Sequence, residues 1–373
     1  MKYYVLIFFS MCMISVNSQT LKFFNNGRLI LGTYKERTAS MGIGDIDGDG
    51  DADILIANGR HWPGQNRIFV NDGRGVFTVS KNLGIEQETS YSTELADFDG
   101  DGDLDIAVGN DMAPNFIFIN DGLGNFTKGK SFGEKYGHTR NIVVADIDND
   151  GDKDILITNR GSENEICLND GDGGFSEVIG FGNKKDSTID VEVVDMNGDG
   201  NLDLILANRD DQPNYVYLNE GNLNFSKPIP YGTGKDITRS IAIADVDRDG
   251  YKDIITANIG EPNVIYFGSK AQNYERKIVF DDSNDESYSL SIGDFDKDGD
   301  IDIVIGNYGA PNNVFVNSED AKTWEKIKLS DKNFNTYDIL TFDLNGDGKL
   351  DIIESNSDEV NLFYFNRFIP KFP

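Results

Sequence analysis

Aspartates recur in this sequence at a spacing that can fold around a cation. The pattern D-x-[DN]-x-D-G-x-x-D starts at Asp45, Asp97, Asp146, Asp195, Asp245, Asp294 and Asp343. Oxygen ligands at alternate positions, a Gly for the sharp bend and a late carboxylate suit a hard ion that takes many oxygens. That points to Ca²⁺, whereas Mg²⁺ prefers a stricter octahedron with retained waters. The candidate ligands are Asp45, Asp47, Asp49 and Asp53 in the first loop, and Asp97, Asp99, Asp101 and Asp105 in the second. The third offers Asp146, Asp148, Asp150 and Asp154, and the fourth Asp195, Asn197, Asp199 and Asp203. The fifth offers Asp245, Asp247, Asp249 and Asp253, and the sixth Asp294, Asp296, Asp298 and Asp302. The seventh offers Asp343, Asn345, Asp347 and Asp351. Position seven varies (Asp51, Asp103, Asp152, Asn201, Tyr251, Asp300, Lys349), as expected if it gives only its backbone carbonyl. Up to seven ions are expected, bound most weakly where Asn197 and Asn345 remove a charge.

These loops are not EF-hands, which need a Glu at position twelve and a following helix. Position twelve here is Ile56, Val108, Ile157, Leu206, Thr256, Ile305 or Glu354, and a strand-like run follows. The nonapeptide calcium β-helix fails too, because its loops are tandem. Purely acidic turns would leave four carboxylates repelling one another within nine residues. Bound ions are instead expected to staple the fold, since a ligand of the folded state at ~100 times its Kd adds roughly 2.7 kcal/mol per site.

The elements that hold the loops follow the same period. Successive leading aspartates lie 52, 49, 49, 50, 49 and 49 residues apart. Seven residues before each stands Thr38, Ser90, Thr139, Thr188, Thr238, Ser287 or Thr336, and five before it Ser40, Ser92, Asn141, Asp190, Ser240, Ser289 or Asp338. Five after the last Asp comes Asn58, Asn110, Asn159, Asn208, Asn258, Asn307 or Asn356. Within the fifth unit the apolar runs "SIAIADV", "DIITAN", "NVIYFG" and "YERKIVF" read as four short strands. Four antiparallel strands per ~50 residues is the signature of a β-propeller blade. The sequence therefore predicts an all-β, seven-bladed propeller. Its last unit runs out after the third strand, "VNLFYFN". Gly32 stands 13 residues before Asp45, as Gly84, Gly133 and Gly182 stand before their own loops, so residues 20–32 occupy a fourth-strand register. They are expected to complete blade seven and remove an exposed edge. The rival closing strand, "RFIPKF", carries Pro370, which lacks a ladder donor.

The 373 residues suffice for one large all-β domain, expected over 19–373. Residues 1–18 pair a charged start with an apolar run and a small residue at Ser18, which reads as a secretory signal and predicts an exported protein. No later stretch has the ~20 apolar residues of a spanning helix. Of two cysteines, Cys12 falls in the leader and Cys167 lies in an apolar strand, so no internal disulfide is expected. With 64 acids against 34 bases the formal charge is −30, which disfavours nucleic acid and anionic membranes as partners. A monomer is expected.

The repeats resemble the FG-GAP (VCBS) repeat family, on "DIDGDGDADILIAN…NRIFVNDGRGVF" and its six relatives over roughly residues 20–366. Similar seven-bladed propellers form the head of integrin α subunits and certain fungal lectins. The resemblance implies calcium in the hairpin between a blade's first two strands. Some rhamnogalacturonan lyases carry related repeats in eight blades, one more than the sequence offers.

Loops on the face away from the Asp hairpins carry the unusual side chains. Between second and third strands these are Arg60, His61, Trp62, Asp111, Arg160, Arg209, Asp210 and Tyr308. Just before the first strands come Tyr91, His138, Arg140, Arg239, Tyr288 and Tyr337. Aromatic faces beside Arg and Asp suit sugar rings, or else a peptide loop. Their bland alternative is to cover blade junctions and pair with surplus acids. Trp62, beside Pro63 in a loop, stands out as the ligand contact. With two histidines, no nucleophile motif and most acids committed to metal, the chain reads as a binding module and not as a lyase or hydrolase. A glycan is the expected ligand, with a surface protein as runner-up.

Overall fold

Second strands such as Asp53–Asn58, Asp105–Asn110, Asp154–Asn159, Asp203–Asn208 and Asp253–Asn258 are buried along their whole length. That is why they read as unbroken apolar runs, without the alternation of a half-exposed strand. The computed structural model describes residues 19–318 and 320–370, so the expected leader at 1–18 lies outside the described residues. Every regular element among them is a strand.

Four separate four-stranded antiparallel sheets cover the middle of the chain. The first comprises Ser90–Ala96, Asp105–Asn110, Asn115–Asn120 and Phe126–Phe132. The others repeat this order from Thr139–Ala145, Thr188–Val194 and Thr238–Ala244 onward. Each first strand starts with a slip in register, as between Thr139 and Asn141.

The remaining strands form one longer paired path. Thr38–Gly44 pairs with Asp53–Asn58, followed by Arg67–Val70 and Val79–Asn82. Ser287–Gly293 begins another four-strand set that ends at Thr323–Lys328. Phe334–Phe342 pairs with the start of the twenty-residue strand Asp351–Pro370. The later half of that strand meets the N-terminal region, with Leu31 opposite Asn361 and Ile30 opposite Leu362. Gln19–Phe24 then continues along it from Pro370 to Phe365. The sequence reading treats 20–32 as one strand. The structure interrupts it at residues 25–29, where Asn25 Oδ1 accepts from Gly27 N–H and Asn25 Nδ2 donates to the Leu29 and Phe363 carbonyls. Residues 367–370 extend the preceding strand and do not form a fourth one.

The core lies between neighbouring sheets. Phe98, Ile117 and Phe132 pack against Ile142, Ile155, Cys167 and Phe175 of the next sheet. Leu31, Met41, Ile54 and Phe69 pack against Leu344, Ile353 and Phe363 from the C-terminal end. Cys167 is a buried apolar filler whose thiol is pushed up to about 12 by burial. First strands touch in order, from Ile30–Gly44 through each sheet to Phe334–Phe342, which touches Ile30–Gly44 again. Among the described residues no helix is long and apolar enough to cross a membrane.

Candidate metal loops and ligand face

Each Asp loop is organised by its own backbone amides. In all seven, the Gly at position six donates its N–H to the second oxygen of the leading Asp, at 2.6–3.2 Å. The position-seven N–H donates to the position-five carboxylate at 2.8–3.0 Å. The Gly bends with positive φ, 94° at Gly50 and 105° at Gly151, a region that other residues enter at a cost. These turns aim the carboxylates inward. Asp45, Asp47 and Asp49 bring one oxygen each within 4.8 Å of one another, as do Asp97, Asp99 and Asp101. The third, fifth and sixth loops gather positions one, three and nine: Asp146, Asp148 and Asp154; Asp245, Asp247 and Asp253; Asp294, Asp296 and Asp302. No such trio forms in the fourth or seventh loop among the described residues. There Asn197 and Asn345 turn their amides onto Asp199 and Asp351.

The donor set fits a metal ion. Asp47 Oδ1, Asp99 Oδ1, Asp146 Oδ1 and Asp247 Oδ1 are buried and meet no hydrogen-bond donor. Unpaired buried oxygens of this kind are costly unless a cation completes them. Burial, and then the neighbouring carboxylates, raise the Asp47, Asp99 and Asp296 carboxyls above the usual range. Asp148 is raised too, chiefly by burial. Several loops could therefore hold a metal. Three loops meet a cation as well, the sixth where Arg248 lies 2.7 Å from Asp300. The Arg276 guanidinium sits 2.6 Å from Asp247 and 3.3 Å from Asp249, stacked over Phe267 at 3.9 Å. Lys349 Nζ lies 2.7 Å from Asp347.

The position-nine aspartates have a second duty that spacing alone does not disclose. All seven are fully buried. One oxygen accepts the position-two amide (Ile46 N–H on Asp53) and the other the amide closing the third strand (Asn71 N–H on Asp53). The same pair recurs at Asp105, Asp154, Asp203, Asp253, Asp302 and Asp351. Burial pushes Asp53 and Asp154 up to about 6 and Asp302 to about 7.

The sequence reading passed over a set of asparagines that opens the third strands. Asn66 accepts the Asn58 N–H and donates to Ser90 Oγ of the next sheet at 2.9 Å. Asn115, Asn164, Asn214, Asn263 and Asn312 do the same to the following Thr or Ser, and Asn361 reaches Thr38 at 3.1 Å. The repeating Thr and Ser are the receiving ends of these rivets. A repeated Asn ten residues after the last Asp in most units was the available signal.

The opposite face gathers the expected residues into three groups. Asp111 is the hub of the first. His61 lies 2.6 Å and His138 3.2 Å from its carboxylate, and Arg140 donates to it at 2.8 Å. Tyr91 OH meets His61 Nε2 at 2.8 Å under the Arg140 guanidinium. Burial alone would raise the Asp111 carboxyl, but Arg140 and His61 outweigh it and hold it below the usual range. The second group is aromatic. Tyr288 stacks on Tyr308 at 5.1 Å and meets Tyr337 edge-on, while Arg60 lies over Tyr337 at 4.1 Å and Arg239 over Tyr288 at 5.7 Å. In the third, Arg160 grips Asp210 with two bonds of 3.0 Å and Arg209 adds a further one, so two guanidiniums share one carboxylate. Trp62 stands apart, 63% exposed, with Arg37 near its ring. Tyr91, Arg140, Arg239, Tyr288 and Tyr337 share a cavity of about 270 Å³ with Glu94, Asp190, Glu192 and Asp338.

The FG-GAP-like repeat family matches residues 45–108, 97–157, 146–206, 195–256 and 260–354. The chain belongs to the FG-GAP-like repeat family. No curated protein is similar enough in sequence to match it. Among solved structures, BBS1N in complex with ARL6DN, soaked with lead, overlays 92% of this chain on 96% of its own, with TM-score 0.61 and 11% identity. The same complex soaked with mercury gives TM-score 0.60 at 10% identity, covering 92% and 95%. At such identities the likeness speaks for the fold, which together with the repeated four-stranded sheets is that of a β-propeller.

Proposed function

We propose that this FG-GAP protein is an exported, monomeric binding module without catalytic chemistry, a seven-bladed propeller over 19–373 stapled by calcium, whose ligand is a glycan. The observation that carries the ligand reading is the aromatic cluster of Tyr288, Tyr308 and Tyr337 beside Arg60 and Arg239, of which Tyr288, Tyr337 and Arg239 line the axial cavity. Flat aromatic faces with fixed donors at their rim suit sugar rings. Seven Asp loops, the rivet from Asn361 to Thr38 and the cyclic contacts of the first strands support seven blades in a ring. The all-oxygen donor set supports calcium over softer metals. A leader-like start supports export.

A glycan array probed with and without chelator tests the reading. Binding in calcium that weakens with Trp62→Ala or Tyr308→Ala agrees with it, and a silent array opposes it. A protein ligand is the second reading, favoured by one observation: the similar propeller BBS1N was solved in complex with ARL6DN. A silent array with a single protein captured by the wild type and lost in Tyr308→Ala would favour that reading. Pectin-like polymers should yield no ultraviolet-absorbing unsaturated products.

A further inference from the structure

The axial cavity holds one arginine, the half-buried Arg239, without a direct carboxylate partner among the described residues. In a chain with 64 acids against 34 bases that is unusual. The two carboxylates that feel its charge are occupied elsewhere. Asp190 accepts Asn141 Nδ2 at 2.7 Å on one oxygen and Ile241 N–H at 3.0 Å on the other. Asp338 accepts Ser289 Oγ at 2.9 Å and Met41 N–H at 3.0 Å. Both are thus spent tying first strands of different sheets together, while Arg140 is spent on Asp111.

We infer that Arg239 anchors the carboxylate of an acidic sugar, with the sugar ring laid against Tyr288, Tyr308 and Tyr337. This rests on the glycan reading above and narrows it to carboxylate-bearing residues. The planar guanidinium offers parallel N–H donors that match a carboxylate, and stacking over Tyr288 limits its freedom before the ligand arrives. A neutral sugar would cover the guanidinium without supplying the counter-charge, which is unfavourable. At neutral pH two of the four cavity carboxyls carry little charge, which leaves Asp190 and Asp338 as the negative groups an incoming anion meets. Burial, and then the charges of Asp338 and Asp190, raise the Glu94 carboxyl to about 8, and Glu192 is raised likewise, so both are largely protonated there.

The test uses the full chain in calcium on an array that sets uronic- and sialic-acid glycans beside neutral ones. The best acidic binder is then titrated calorimetrically against its carboxyl-reduced form. Carboxyl reduction should weaken binding roughly ten-fold or more, the share of one charge-assisted pair. Arg239→Gln should erase that difference while melting like the wild type, and Arg239→Lys should retain part of it. Equal binding of neutral and acidic glycans, or an acid preference that survives Arg239→Gln, would overturn the anchor and leave the glycan reading standing. A protein that binds no glycan would overturn both.

Discussion

Arg276 meets two candidate ligands of the fifth Asp loop at once. Its guanidinium already lies against Asp247 and Asp249, so that loop is partly neutralised without metal. Arg276→Ala should therefore cost more stability in chelator than in calcium, by about 1 kcal/mol or less for an exposed pair. Equal losses in both conditions would contradict this. The position-nine aspartates make the opposite prediction. Asp154→Asn keeps one acceptor oxygen and presents an NH₂ to a backbone amide, at a cost of about 1–3 kcal/mol. That loss should persist in chelator, because the two amide bonds are made by protein alone. Leading aspartates were legible as candidate ligands from their spacing. The double bonding of the ninth was not, since its second partner lies 15 residues on, at Asn169.

At the scale of elements, one hydrogen-bonded link recurs between sheets, from an Asn opening a third strand to a Thr or Ser opening the next first strand, and in every unit but that of Thr188 it runs on to the Asn closing the neighbouring strand. Asn164→Ala would strand the Asn159 amide and the Thr188 hydroxyl, both buried, and should cost about 2–3 kcal/mol, read by denaturant unfolding. An unchanged midpoint would mean that the rivet contributes nothing. The four strands of each unit and the Thr, Ser and Asn register were readable in advance, because full burial writes apolar runs and repetition exposes fixed polar positions. Asn66 and Asn214 broke the ten-residue spacing that marks the other third-strand asparagines, which hid the set. The N-terminal strand was placed by Gly32 alone, and nothing local announced that Asn25 would fold five residues out of the ladder.

At the scale of the molecule, carboxyls converge on the axis while cations surround its mouth. Glu94, Asp190, Glu192 and Asp338 line one cavity there together with Arg239 and Arg140. The Glu94 carboxyl is raised by burial and like charge to about 8 in the folded protein. An unfolded glutamate releases its proton near pH ~4.3. The folded state thus binds more protons between those values, and stability declines as pH rises from about 4.5 to about 8. Melts in saturating calcium should show that decline, and Glu94→Gln should lessen it, with Glu192 supplying part of what remains. The central claim is that cations in the Asp loops hold the sheets together, and calorimetric melting with calcium, with chelator and after readdition tests it most directly. Even one site saturated at ~100 times its Kd corresponds to a shift of roughly 3–4 °C. The account predicts at least that fall in chelator, reversed by Ca²⁺ and poorly by Mg²⁺; a melt unmoved by chelator would contradict it.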